Sequence, residues 1–372
     1  MRWRCVVVNQ QRDNCLIHCD IAVIGAGPAG TVAAAILARC HVNVVIVDPL
    51  ELSTHKVGES VPSAMAALLS ATDFDGLDEC HHMPISGSET LWCDERLSQD
   101  AFTQPGGMGW RLDRCRFEQQ LLTKAMAAGA NAHQGRLQAA TRQSEQWQLT
   151  LDDGQRLQAA FVIDASGRNG ALVRLLGVER QTTSPLMAAW SLSEAVKDGH
   201  AAVGKTLIES DETGWWYGAQ LPSRKWLAIY HTHMPQAKRL RQTDGLWRSQ
   251  LSDTALISQF IDPSLFDPSA LTLSDARGGY LKQAYGDGWA ACGDAALSFD
   301  PISSQGIFNA MATAHQLATT YLNAQPQEDG LQWQRYQHQL NRIYRAYHQR
   351  RQGFYLRAMQ HYDSEFWKHQ CA

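Results

Sequence analysis

The stretch Cys19-Asp-Ile-Ala-Val-Ile-Gly-Ala-Gly-Pro-Ala-Gly30 decides how this 372-residue chain folds. It reads as a short apolar strand running into G-x-G-x-x-G. An alanine-rich helix over 31–39 and a second strand over 42–47, ending in Asp48, come next. Each residue type has a task in binding a dinucleotide. Gly25 permits a tight turn, Gly27 lets the backbone approach a pyrophosphate, and Gly30 lets helix and strand pack closely. Pro28 and Ala29 lie inside the same loop and count among the expected contacts. The helix N-terminus would face the phosphates with free N–H groups and a positive dipole end. Asp48 stands where the chain can return to hydrogen-bond a ribose diol.

The bulk properties narrow the classes. At this length two intimately packed lobes are expected. A formal net charge of −4 argues against general nucleic-acid affinity. No run approaches the ~20 apolar residues of a membrane span. Residues 1–19 read as an extension, because Val6-Val7-Val8 is too short for a signal-peptide core. Nine scattered cysteines, an odd number with no C-x-x-C, read as reduced thiols and point to the cytoplasm.

Beyond the opening, a helix is expected over 63–70 and another over 116–128. A hairpin over 133–140 and 146–151 would use Asp152-Asp153-Gly154 as its turn, and a strand would fill 157–163. Alternating strands rich in aromatics are expected over 186–270, then helices over 303–323 and 329–372. Three later segments extend the dinucleotide reading to FAD. Val162-Ile-Asp164-Ala-Ser-Gly167 ends a strand in Asp-x-x-Gly, where a small-residue turn passes close to phosphates. Ala291-Cys-Gly293-Asp294 ends a strand in a carboxylate suited to ribityl hydroxyls. Asp300-Pro301-Ile-Ser-Ser-Gln305-Gly306-Ile307 opens a helix whose N–H groups would stabilise negative charge on the flavin ring; the plainer alternative caps that helix with Ser303 or Ser304.

These three motifs in this order resemble the FAD-dependent hydroxylases of the para-hydroxybenzoate hydroxylase type, over roughly 20–320. The resemblance implies a mixed α/β (α+β) fold: a Rossmann-type FAD-binding domain, an inserted β-sheet substrate domain and C-terminal helices. The expected FAD-binding domain is 20–80, 105–185 and 271–325; the substrate domain is 81–104 and 186–270; the C-terminal helical segment is 326–372. It also implies that Arg114, in Leu-Asp-Arg-x-x-Phe, and Leu137 touch the FAD. No second glycine-rich nucleotide loop is present, so reducing equivalents would come from an external reductant or reductase.

The loop Lys56-Val-Gly58-Glu59-Ser60-Val-Pro62 resembles the subgroup of flavin-dependent halogenases and their hydroxylating relatives, in which such a loop lies against the isoalloxazine. The chain departs from halogenases at three chemical positions. No lysine lies between Lys56 and Lys124. Gly214-Trp-Trp-Tyr-Gly-Ala-Gln-Leu-Pro222 breaks the W-x-W-x-I-P spacing. No acid lies between Pro301 and Gly306. Halogenation is therefore not expected. Together with Gly109-Trp-Arg-Leu-Asp-Arg-Cys-Arg-Phe117, Asp164-Ala-Ser-Gly-Arg168 and the 293–307 segment, these residues resemble the LodB/GoxB-like flavoproteins.

That resemblance implies an FAD-dependent monooxygenase that oxygenates a tryptophan in a precursor protein, with O2, during biogenesis of cysteine tryptophylquinone in an amino-acid oxidase. Trp215 and Trp216, on opposite sides of one strand, are candidates for an indole site. His55, His81, His82, His231 and His233 are base candidates by chemistry, His55 first because it adjoins the Lys56 loop. No metal site is expected, since His231-x-His233 has no third ligand. Residues 331–372 hold seven basic residues, two acids and nine aromatics, with an apolar face at 340, 343, 344, 347, 354 and 358; they would dock on their own domain or grip a partner. Hydroxylation or halogenation of a free indole or other small aromatic, an isoprenoid reductase and a flavin-binding maturation chaperone remain alternatives.

Overall fold

A computed structural model describes residues 16–51, 56–103, 107, 109–195, 204–324 and 329–371. The opening strand, Ile17–Ile24, is buried on both faces from Ile21 onward, as a central parallel strand must be. It pairs in parallel with Arg156–Asp164 on one side and Val44–Asp48 on the other. Trp289–Ala291 and Asn131–Gln134 extend the sheet in parallel beyond these two. The register places Ile24 opposite both Val47 and Asp164, and Asp164 opposite Ala291. The carboxyl ends of four strands distant in sequence therefore share one edge, where α/β sheets bind their ligands.

The crossover helix Pro28–Arg39 presents Ala33, Ala34, Ala35 and Leu37, all fully buried. Small side chains let it pack closely against the helices Gly306–Asn323 and Arg114–Ala127. Each large aliphatic buried in the sheet beneath contributes about 1.5–3 kcal/mol.

The expected hairpin is turned elsewhere. Leu137–Gln143 pairs with Gln146–Leu151 across Ser144-Glu145, both left-handed at φ 46° and 68°, as a two-residue turn matched to strand twist requires. Residues 152–154 instead turn Gln146–Leu151 into Arg156–Asp164.

A second sheet has seven strands in the order Thr272–Asp275, Met187–Ala195, Lys225–Thr232, Gly214–Gln220, Lys205–Asp211, Gly87–Trp92 and Glu95–Asp100. All its pairs are antiparallel except Lys205–Asp211 with Gly87–Trp92. The stretch after Thr232 is helical rather than stranded: Met234–Gln242 and Leu246–Ser252 cover one face, burying Trp216, Trp226, Tyr230 and Trp247.

The helix Asp329–His361 and the short Glu365–Cys371 close the molecule. Tyr336 donates to the carbonyl of Ala291 in the first sheet at 2.7 Å, and Trp367 donates to that of Asp211 in the second at 2.9 Å. The inward face differs at one turn from the apolar pattern: Phe354 is 44% exposed, and Tyr355 is the fully buried residue. No helix among the described residues is long and apolar enough to cross a membrane.

Candidate active site

A cavity of about 780 Å³ opens at the carboxyl edge of the first sheet and runs under the second. Gly25, Gly27, Pro28, Ala29 and Asp48 line it from the opening motif. Leu137 and Gly167 line it from the neighbouring strands' ends, and Asp294, Pro301, Gln305, Gly306 and Ile307 from the far segments. Lys56, Gly58, Glu59, Ser60 and Arg114 complete that wall. His55 lies outside the described residues.

Three expected cofactor residues stand behind the wall. A Cβ on Gly30 would run into the carbonyl of Gly25, and one on Gly293 would press on Ala29, so both are packing positions. Asp164 is fully buried and turned inward. One of its oxygens accepts from Ser166 N at 3.0 Å and Ser166 Oγ at 2.6 Å; the other accepts from the amides of Leu172 and Val173, both at 2.9 Å. It shapes the Ala165–Arg168 turn from behind. Asp48 also supports backbone, accepting from Ala26 N at 2.8 Å and Leu50 N at 2.7 Å.

Gly25 is held at φ 112°, a conformation that favours glycine. Gly27, Gly167 and Gly306 line the cavity with open space where a Cβ would sit. No side chain caps the helices Pro28–Arg39 and Gly306–Asn323 at their N-termini, so neither Ser303 nor Ser304 is the cap. Both helix ends thus keep N–H groups on the cavity wall.

The loop from Lys56 to Ser60 is held by a group that the sequence reading missed. Glu118, 2% exposed, pairs with Lys56 at 2.6 Å and with Arg114 one helical turn before it. Arg114 in turn donates to the carbonyls of Val57 at 3.1 Å and Gly58 at 2.7 Å. Burial raises the Glu118 pKa, but the Arg114 guanidinium and the Lys56 ammonium outweigh it and hold the carboxyl below its usual range. The i, i+4 spacing from Arg114 was the available signal. Arg168 was also passed over, though it ends a quoted motif. It donates to Asp294 at 3.2 Å and to the carbonyls of Asp275, Arg277 and Phe299 at 3.2, 2.8 and 2.8 Å, tying the edge of the second sheet to the cavity floor.

The second sheet supplies the opposite wall. Tyr217 lines the cavity and donates to Glu59 at 2.8 Å, with Ser60 Oγ at 2.9 Å. Burial, then the Glu59 carboxylate, pushes the Tyr217 phenol well up, so it stays a neutral donor. Trp215 lies beside the cavity rather than on it, stacked on His231 at 3.7 Å and 13°. Trp216 faces away, packed between Tyr230 and Trp247, because strand neighbours alternate. His231 lines the cavity. The remaining histidines part company: His81 pairs with exposed Asp78, His82 accepts from Asp113 N at 3.2 Å, and His233 begins the Met234–Gln242 helix.

Asp300, 1% exposed, anchors the turn before the helix Gly306–Asn323. Its carboxylate accepts from Ile302 N at 3.0 Å, Arg351 Nε at 3.1 Å and Tyr355 at 2.7 Å. Trp215 donates to the Tyr355 hydroxyl at 3.1 Å, and Arg351 continues to Gln370 at 2.6 Å. The C-terminal helices are thereby wired to the cavity wall.

The converging strand ends, the open glycines and the two uncapped helix N-termini suit a long cofactor with a central pyrophosphate and a flavin ring at one end, and the chain is an FAD-dependent flavoprotein oxidoreductase. It belongs to the tryptophan halogenase family, whose profile matches residues 20–88 and 90–372. The FAD-dependent oxidoreductase LodB of Marinomonas mediterranea is 29% identical over 363 residues, 95% of this chain and 97% of that protein. The flavin-dependent halogenase CmlS shares the fold at a TM-score of 0.83 and 23% identity, covering 96% of this chain and 68% of that one. QhpG, a peptidyl tryptophan dihydroxylase essential for tryptophylquinone cofactor biogenesis, matches at 0.76 and 24%, covering 95% and 78%.

Proposed function

We propose that this protein uses FAD and O2 to oxygenate a tryptophan side chain within a partner precursor, in the biogenesis of cysteine tryptophylquinone in an amino-acid oxidase such as glycine or lysine oxidase. The observation that carries this reading is the state of the cavity's lysine. Among the described lining residues that lysine is Lys56, and its ammonium is paired with buried Glu118. A halogenase needs a free ammonium to hold hypohalous acid; an oxygenase does not. The near full-length likeness to LodB and the named activity of QhpG support the same direction.

In this reading Gly27, the N-terminus of Pro28–Arg39 and Asp48 hold the adenosine diphosphate end, and Asp294 the ribityl chain. The Gly306–Ile307 amides, on the cavity wall, would face the flavin ring. Reduced FAD supplies the activation of O2. The protein's part is to exclude water, press the indole against the ring from the sheet side, and balance charge with helix N–H groups. Reducing equivalents would come from an external reductant or reductase.

Co-expression with a candidate oxidase precursor tests this. Tryptic mass spectrometry should find one or two oxygen atoms on a single tryptophan, only when this protein is present. Gly27→Val, which fills the space before the pyrophosphate, should weaken FAD binding roughly a hundredfold, about 2.7 kcal/mol, and abolish the modification. Unmodified precursor would sink the reading. Modification undiminished in Gly27→Val would favour a chaperone role, and chlorination of free tryptophan would favour a halogenase.

A further inference from the structure

We infer that His231 recognises the aromatic guest by accepting a hydrogen bond from the N–H of an indole ring held against the second sheet; this assignment rests on the oxygenase reading above. The sheet register sets the wall. Trp215, His231, Ala188 and Ser274 stand in one row across four strands, and Tyr217 and Ile229 begin the row beside it. On this wall the polar groups differ in one respect. Tyr217 is spent on Glu59, and Ser274 accepts from Trp190 at 3.0 Å. His231 is 1% exposed and lines the cavity, and neither ring nitrogen has a partner in full hydrogen-bond geometry; the Trp215 backbone lies close enough to favour the protonated ring but outside that geometry. Buried polar groups are nearly always paired, so an orphaned one on a cavity wall asks for a ligand.

The ring is also oriented. Trp215 covers one face at 3.7 Å, and Trp215 is itself fixed by Tyr355, which is bonded to Asp300. On the other flank the cross-strand neighbour is Ala188, whose methyl group leaves room on the cavity side. Burial first, and the nearby Arg168 charge after the opposing effect of the Trp215 backbone, push the His231 pKa down to about 3. The imidazole therefore keeps an acceptor lone pair throughout the working pH range. Indole is a donor-only ring, so a single acceptor on an apolar, aromatic wall matches it.

The test uses the FAD-loaded full chain titrated with N-acetyltryptophanamide and with its 1-methylindole counterpart, read by the flavin difference spectrum. The wild-type protein should bind the N–H compound about tenfold or more tighter, since a site built for a hydrogen bond rejects the analogue that lacks it. His231→Phe should lose that preference and His231→Gln should retain part of it, with FAD affinity unchanged in both. Equal binding of the two probes by wild type, no spectral response to either, or an undiminished preference in His231→Phe would overturn the assignment. If His231→Phe does not fold, the wild-type pair and His231→Gln decide. The readout is binding, not oxygenation: an unmodified precursor with this preference intact sinks the oxygenase reading alone, and the reverse sinks only the role of His231.

Discussion

Asp164 and His231 are opposite cases at the residue scale. Asp164 is a buried acid whose oxygens are filled by four donors, so it builds the turn and needs no ligand. His231 is a buried base with no partner in full hydrogen-bond geometry at either nitrogen. That difference has a pH consequence. The unfolded chain takes up the His231 proton near the ordinary value of 6.5, whereas the folded chain resists until about 3. Between those values the unfolded state binds more protons, so stability falls as pH falls. From pH 7 to 5 this one group costs on the order of 2 kcal/mol. Urea unfolding at pH 7 and pH 5 should show His231→Gln losing less stability than wild type by roughly that amount; parallel losses would show that the ring already finds a proton partner in the folded state. His231 was legible from the sequence only as one histidine among several, because no local pattern marks which of them faces a cavity. His55, placed first on proximity in sequence, had no such argument behind it.

The element that matters most is the turn leading into the helix Gly306–Asn323. Its amides line the cavity, and its start is held from outside the nucleotide-binding lobe. Asp300 and Arg351, 1% and 4% exposed, form an ion pair at 3.1 Å. Removing one partner of such a pair strands a buried charge, which costs on the order of 3–5 kcal/mol. Arg351→Met should lower stability by that amount in calorimetric or urea unfolding. Asp300→Asn combined with Arg351→Met should recover part of it, because the stranded charge is gone. A single variant within about 0.5 kcal/mol of wild type would mean that water, not Arg351, satisfies the carboxylate. Asp-Pro before a helix start could be read in the sequence as a cap. Its partner some fifty residues on, Arg351, sits in a stretch whose basic residues look like an ordinary solvated face.

At the scale of the whole molecule, the two sheets are not independent bodies. Asp329–His361 crosses both, burying Tyr336 and Leu340 against the first and Tyr355 and Ala358 against the second. Trp92 donates to the carbonyl of Phe354 at 3.2 Å, and Tyr362 to that of Ser210 at 3.0 Å. A chain ended at residue 328 would expose Trp215 and Trp92 and leave Asp300 without Arg351 and Tyr355. It should show no cooperative thermal transition and no FAD binding in calorimetry and fluorescence titration. A truncated chain that still melts sharply and binds FAD would make the C-terminal helices an accessory. The aromatic richness of 331–372 is accounted for by this internal docking over most of its length, with Phe354 the main departure from the expected face.

By itself the sequence determined the nucleotide-binding core, since the strand, glycine loop, helix, strand and acid are contiguous and each residue type acts within a few positions of the next. It also determined that the later Asp-x-x-Gly, Gly-Asp and 300–307 segments belong to the same site, because their small residues and strand ends carry a local signature. Only the tertiary structure decided which of those residues face the cavity and which stand behind it. Gly27, Gly30 and Asp164 look alike as motif members, but a side chain's direction depends on strand register and helix approach. It alone also joined Glu118 to Lys56, His231 to Trp215 and Asp300 to Arg351, since contacts between distant segments leave no periodicity in the chain for a reader to find.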